Sequence, residues 1–302
     1  KDMLTAGQAL PATLGANVPT ENAADLKTYG FEVSIGWTDQ LSNGFKYWAK
    51  GVLSDYQSEI TRFTNPTGSI GQYYVGRKIG EIWGYRSNGL FQSDEEVASS
   101  PKQTKLWGGS WGAGDVKYVD LNNNGEIEWG TNTLDNPGDK TIIGNSTPRY
   151  SFGITAGFEY KGFDFEMFWQ GIGKRDYMVG GVHFWGFTSQ WDTPLKESLD
   201  YWTPQNTGAY FPRPNWNNGG NRQTTDRYLQ DASYARLKNV TLGYTFPKVW
   251  MNQIGISKLR IYVSGENLFT ITDMIDSFDP ETLSNMTYPI NKKLAVGLNL
   301  TF

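Results

Sequence analysis

The sequence predicts an all-β chain, about seven long antiparallel strands in the wall of a transmembrane β-barrel with long loops on one side. Three observations lead there. Apolar and polar residues alternate with period two over long stretches, the mark of a strand with one apolar face. Those stretches run roughly 9 to 13 residues, longer than the ~5–6 of globular sheets and close to the 9–11 that a tilted strand needs to cross a bilayer. Short connections at 39–44, 161–162 and 247–257 alternate strictly with long ones at 59–149, 174–233 and 271–291, as turns and loops do on the two sides of an outer membrane.

The strands follow in order. Phe31, Val33, Ile35 and Trp37 alternate with Glu32, Ser34, Gly36 and Thr38. Phe45, Tyr47, Ala49, Gly51 and Leu53 then alternate with Lys46, Trp48, Lys50, Val52 and Ser54. Tyr150, Phe152, Ile154, Ala156, Phe158 and Tyr160 share one face. After the turn Lys161-Gly162, so do Phe163, Phe165, Met167 and Trp169, which makes a hairpin. Val240, Leu242, Tyr244 and Phe246 form the fifth apolar series, and Leu259, Ile261 and Val263 the sixth. The last is Leu294, Val296, Leu298, Leu300 and Phe302, which ends on an aromatic inside a strand. If that strand descends, the three long loops are extracellular and the three short turns periplasmic. Seven strands with open edges do not close a barrel in lipid, so the chain is expected to be part of something larger.

Composition removes other classes. The 302 residues include no Cys and one His, His183, so thiolate metal clusters, iron–sulfur sites, disulfides and Cys nucleophiles are excluded. With 27 Lys+Arg against 31 Asp+Glu, and no basic block, phosphate-driven nucleic-acid binding is not expected. Gly is 35 of 302, above the usual ~7 %. Aromatics reach 15 %, yet mean hydropathy is negative and no apolar run is long enough for a spanning helix. The opening Lys1-Asp2-Met3 has no signal-peptide pattern, so any export signal is expected outside these residues. Alternation alone also suits a soluble secreted β-sandwich that binds or hydrolyses carbohydrate, or an adhesin-like barrel without transport.

Four stretches carry a family resemblance. They are Gly80-Glu-Ile-Trp-Gly-Tyr-Arg-Ser-Asn-Gly-Leu-Phe-Gln92, Asp115-Val-Lys-Tyr-Val-Asp-Leu-Asn-Asn-Asn-Gly-Glu-Ile127, Tyr234-Ala-Arg-Leu-Lys-Asn-Val-Thr-Leu-Gly-Tyr-Thr-Phe-Pro247, and Gly265-Glu-Asn-Leu-Phe-Thr270 with Asp279-Pro-Glu281. Together with Leu10-Pro-Ala-Thr-Leu-Gly15 and Gly30-Phe-Glu-Val-Ser34 they resemble the C-terminal third of SusC/RagA-family TonB-dependent transporters of the Bacteroidetes outer membrane. The resemblance implies a barrel of about 22 strands around a plug. It implies energy from TonB through that plug and a SusD-like surface lipoprotein that helps capture oligosaccharides or oligopeptides. Residues 1–302 would then be the C-terminal part of the barrel, with the plug and the remaining strands lying elsewhere. No enzymatic activity is implied.

Asp120, Asn122 and Asn124 stand where a calcium loop has its first three side-chain ligands. Gly125 takes the turn, Glu126 the main-chain carbonyl position and Ile127 the apolar anchor. The closing acid at the twelfth position is missing, because Thr131 stands there. The resemblance supplies Asp139 instead, before Lys140-Thr-Ile-Ile-Gly144, with residues 129–138 as an insertion. A structural Ca2+ that steadies the loop is one reading, and an ion-free Asn-rich turn is the other. Trp185, Trp191 and Trp216 are candidate glycan-stacking residues in the most aromatic loop. Against this, long loops use Trp as internal anchors. His183, among apolar neighbours, reads as structural. Asp164 and Glu166, about 7 Å apart on one strand face, read as lumen lining and not as a glycosidase pair. Gly171-Ile-Gly173-Lys174-Arg175 lacks the upstream Gly and the following Ser/Thr of a phosphate loop.

Overall fold

The structure is a computed structural model that describes residues 2–6, 13, 15, 20–186, 188–189, 191–215, 218–284, 287–288 and 290–302. Most of the Leu10–Gly15 motif falls outside them. In chain order the elements are β1 (Met3–Ala6), β2 (Thr20–Gln40), β3 (Lys46–Arg62), β4 (Glu81–Tyr85), β5 (Ser87–Leu90), α1 (Asp94–Ser99), β6 (Val116–Tyr118), β7 (Lys140–Asn145) and β8 (Arg149–Tyr160). They continue with β9 (Phe163–Lys174), β10 (Asp176–Met178), α2 (Val182–Trp185), β11 (Leu229–Asp231), β12 (Tyr234–Thr245), α3 (Lys248–Asn252), β13 (Lys258–Thr272) and β14 (Lys293–Thr301). One large sheet runs β1-β2-β3-β8-β9-β12-β13-β14, and it contains all seven expected strands plus the short β1.

Register explains which face meets lipid. Tyr47 pairs with Phe158, Phe158 with Phe165, Phe165 with Leu242, Leu242 with Val263 and Val263 with Val296. One apolar row therefore crosses six strands on one face. The neighbouring row on the opposite face is Trp48, Gly157, Glu166, Thr241, Ser264 and Ala295. A one-residue slip anywhere would reverse the two faces, so the alternation holds the register. The apolar row is covered only in part, with Leu242 44 % and Val263 50 % exposed on strands that have neighbours on both sides, as suits a lipid-facing surface. No helix among the described residues is long and apolar enough to cross a membrane, which says nothing about strands.

At the short-turn end the apolar face becomes aromatic. Phe45 stacks on Phe158 at 5.6 Å, Phe158 on Phe165 at 5.5 Å, and Phe163 lies 4.7 Å from Tyr244, which touches Phe246 at 5.1 Å. Such girdles mark the membrane–water boundary. The β8–β9 hairpin closes on Lys161 (φ 48°) and Gly162 (φ 88°), the two positive values that a tight I′ turn requires. On the inner face, Gly157 leaves room for the Trp48 ring, since a Cβ there would come within 2.4 Å of it. The aromatic lies across the glycine and restores the packing that the glycine gives up.

Three strands outrun their alternation. β2 is 21 residues, β3 is 17 and β13 is 15, because backbone pairing continues after the lipid-facing pattern stops. In the extensions of β2 and β3 side-chain contacts are polar. Arg62 Nε donates to Asp25 Oδ2 at 2.9 Å, and Tyr29 Oη to Gln57 Oε1 at 2.9 Å.

The chain divides into two compact units. The wall unit holds 30–56, 148–175 and 231–302. The other unit holds the two longest loops with 1–29, and it has an interior of the water-soluble kind. Tyr85, Phe91, Val116, Ile127, Val179 and Tyr228 are all but inaccessible there, and the small sheets β4–β7 and β5–β6 frame them. These loops therefore carry regular structure of their own.

Candidate functional site

Asp120 to Ile127 winds into a stack of side-chain-capped turns. Asp120 Oδ2 accepts from Gly125 N–H at 2.8 Å, Asn122 Oδ1 from Asn124 N–H at 3.0 Å, and Asn124 Oδ1 from Glu126 N–H at 2.9 Å. Asn and Asp are suited to this because their short side chains mimic a backbone turn. Asn123 (φ 59°) and Gly125 (φ 83°) supply the left-handed steps, and Ile127 is fully buried as an apolar anchor.

Asp139, far along the chain, is also fully buried. It ties the loop's two ends, because Oδ1 accepts from Leu121 N–H at 2.7 Å and Oδ2 from Glu128 N–H at 2.8 Å. The acid proposed by the resemblance is thus brought to the loop across the insertion. The donor set is all oxygen, which fits a hard cation such as Ca2+ in kind. Among the described residues no three His, Cys, Asp or Glu side chains converge as ligands, so Asn side chains and main-chain carbonyls would have to complete the set. The Glu126 carboxylate is engaged by Lys105 at 2.6 Å, which leaves its carbonyl as the usable group. Lys105 also binds Glu128 at 2.7 Å, and this pairing holds the Glu128 carboxyl below the usual range.

Composition and spacing did not reveal a carboxylate that accepts five hydrogen bonds. Asp115 is fully buried. Its Oδ1 accepts from Arg213 Nε at 3.0 Å, Asn221 Nδ2 at 2.8 Å and Asn218 Nδ2 at 3.3 Å. Its Oδ2 accepts from Arg213 Nη2 and Gly112 N–H, at 2.8 and 2.9 Å. One charge is thereby satisfied in the way a buried carboxylate requires, and it joins the loop 59–149 to the loop 174–233. The signal was the Asp that opens the Asp115–Ile127 motif, but its side-chain partners lie about a hundred residues away.

The three tryptophans separate. Trp185 packs edge-on against Tyr228 at 4.8 Å and Phe184 at 5.0 Å, in a cluster that includes Phe211, so it serves as an internal anchor. Trp191 is 84 % exposed and presents an open ring. Trp216 lies outside the described residues. His183, half-buried in α2, precedes the cluster's Phe184.

In the wall unit, two of the quoted motifs meet. Arg236, 4 % exposed at its side chain, donates Nη2 to Asp279 at 2.5 Å, Nη1 to Glu281 at 2.6 Å and Nε to Thr270 Oγ1 at 2.9 Å. Lys238 adds a contact to Glu281 at 3.1 Å, and Arg175 donates to the Pro280 carbonyl. Three cations therefore clamp Asp279-Pro-Glu281. Lower on the same inner face, Arg260 binds both oxygens of Asp164, at 2.9 and 2.5 Å, and lies over the Tyr262 ring at 4.7 Å. Gly243 makes this bridge possible, since a Cβ there would come within 2.6 Å of both charged groups. Asp164, Glu166, Lys46, Trp48 and Arg260 line a polar hollow of about 700 Å³. Asp164 is held by Arg260, so Asp164 and Glu166 form a wall lining and not an acid/base pair.

No protein-family model matches the chain. The chain is 27 % identical to TonB-dependent receptor P3 of Formosa agariphila, over 97 % of this chain and 30 % of that protein. It is 25 % identical to TonB-dependent receptor SusC of Bacteroides thetaiotaomicron, over 94 % of this chain and 27 % of that one. The structure of the RagAB peptide transporter superposes with a TM-score of 0.71 at 21 % identity, over all of this chain and 32 % of that one. The chain is similar over nearly its whole length to part of TonB-dependent receptors of the SusC/RagA kind, and it shares the fold of that part. The RagAB peptide importer in its 'open-open' state gives the same TM-score. The SusC/RagA-like chain spans under a third of the curated relatives it matches, and its place is the outer membrane.

Proposed function

We propose that this chain is the C-terminal part of the wall, with its outer loops, of a TonB-dependent importer that takes up oligosaccharides or oligopeptides. The remaining strands and a plug would come from the rest of the receptor, and TonB would act on that plug. A SusD-like surface lipoprotein would share ligand capture at the outer loops. The carrying observation is the pair of opposed rows, an unbroken apolar one and one of mixed small and polar residues, across six strands. A soluble sandwich would bury the first row, whereas a barrel must expose it to lipid. The relatives named SusC and TonB-dependent receptor, and the peptide transporter RagAB, support the same reading. The chain's own role is non-enzymatic.

Asp120, Asn122, Asn124, the Glu126 carbonyl and Asp139 would hold a structural Ca2+. When bound, the ion would offset the Asp120 and Asp139 charges. Asp139 already holds the two ends of the loop, and the Asn side chains keep it wound. Trp191 is the tryptophan left open for a ligand's ring or side chain. Mass spectrometry of what co-purifies with the chain from detergent-extracted membranes tests the proposal. A plug-bearing polypeptide and a large lipoprotein are expected, whereas a monodisperse chain in plain buffer would overturn it. For the ion, chelation should speed proteolysis between residues 120 and 139, and Asp139→Asn should abolish the difference between calcium and chelator.

A further inference from the structure

The three short turns of the wall differ in chemistry. Two are small and mostly polar. One is Leu41, Ser42, Asn43 and Gly44, and the other is Lys161 and Gly162. The third, residues 247–257, contains α3 and exposes three large apolar side chains, Val249 at 71 %, Trp250 at 56 % and Ile254 at 63 %, while Met251 is buried. A turn standing in water has no reason to expose them, and clustered apolar exposure marks an interaction surface.

We propose that residues 247–257 form an interfacial anchor that lies in the headgroup–acyl boundary of the membrane's periplasmic leaflet, with phospholipid as its occupant. Continuity supports this. The turn leaves the apolar face of β12 through Tyr244 and Phe246, which are part of the aromatic girdle, and returns to it through Leu259 and Ile261 of β13. The chain is therefore at the boundary level when the turn begins. A short amphipathic segment there buries its apolar side in the acyl region and keeps its polar side in water. Trp250 is the residue type that favours this boundary. The exposed Lys248 beside it has the reach to place its ammonium at a lipid phosphate. The geometry also explains why this turn is longer than the other two: it rests on the membrane and does not merely reverse the chain.

This inference rests on the barrel reading, and the test separates the two. Ile254→Cys, Val296→Cys and Asn43→Cys are made singly in the full receptor, labelled with a nitroxide and reconstituted in phosphatidylcholine–phosphatidylglycerol vesicles. Collision rates are read against oxygen, which concentrates in lipid, and a water-soluble nickel complex. The Ile254→Cys label should show an oxygen-to-nickel ratio severalfold above that of Asn43→Cys and approaching that of Val296→Cys. If Ile254→Cys matches Asn43→Cys while Val296→Cys stays in lipid, the anchor is wrong and the barrel stands. The anchor is also overturned if Ile254→Cys is shielded from both reagents, because the turn then packs against another part of the receptor. If Val296→Cys is itself water-accessible, the barrel reading fails. Trp250→Cys serves as a second probe should Ile254→Cys fail to assemble.

Discussion

The wall and the outer-loop unit solve the same problem in opposite directions. In the wall, apolar side chains stay exposed even on strands paired on both sides, with Leu242 at 44 % and Val263 at 50 %. In the loop unit, Tyr85, Phe91, Val116 and Ile127 are at most 1 % exposed. Apolar groups avoid water in both. One unit places them in lipid and the other in its own interior. What stabilises each therefore differs: backbone pairing and a lipid-compatible face for the wall, packing and buried polar hubs for the loops.

Substitutions specific to one unit break this contrast most sharply. Asp115→Ala leaves two amides, one main-chain N–H and Arg213 without their acceptor, and should cost the loop unit about 4 kcal/mol. Surface protease on intact cells should then cut the loops while the wall keeps its resistance to unfolding in detergent. Arg236→Ala strips Asp279 of its cation and leaves Glu281 to Lys238 alone, a loss of about 3 kcal/mol, read as faster hydrogen exchange over residues 273–284. Leu298→Arg places a charge on the lipid face and should cost about 2–3 kcal/mol. Thr241→Arg, directly opposite Glu166 on the inner face, should cost less than about 1 kcal/mol. Urea unfolding of the reconstituted receptor compares the two.

The smallest effect is a pH dependence confined to the loops. The Gln92 N–H and the Lys117 ammonium hold the Glu96 carboxyl below its ordinary value. A depressed folded pKa means that the stability it lends is complete above the unfolded value and fades as pH falls through the folded one. Acidification below about pH 4.5 should loosen α1, seen as faster exchange at residues 93–100, and Glu96→Gln should flatten that response. The wall row Val263–Val296 should show no matching change.

The wall was legible in the sequence because a strand between lipid and lumen writes its environment with period two, residue by residue. The register rows repeat the expected faces from Tyr47 to Val296. The strand ends were not legible. Thr20–Thr28 and Gln57–Arg62 are mostly polar and bury only Ala24 and Ile60, so pairing there leaves no apolar alternation to read. The turn Asp120–Ile127 was readable as a local pattern, whereas Asp139 came only through the family resemblance, since an insertion hides its spacing. Trp185 and Trp191 look alike in sequence. Only the long-range contacts with Phe211 and Tyr228 show that one is packed into an aromatic cluster and the other is not. The Arg236 clamp joined two motifs already noted, Tyr234–Pro247 and Asp279–Glu281, but their contact depends on the fold of the intervening loop.

The Asp115 hub has a consequence for how such receptors diversify. Its donors come from both long loops: Gly112 from the first, and Arg213, Asn218 and Asn221 from the second. Neither loop can be exchanged alone without stranding a buried charge or its donors. A graft that carries only one loop from a relative inherits half of a lock, whereas the two transplanted together bring their own closure. The two loops thus form one structural unit at Asp115, and a graft that keeps it intact has to carry both.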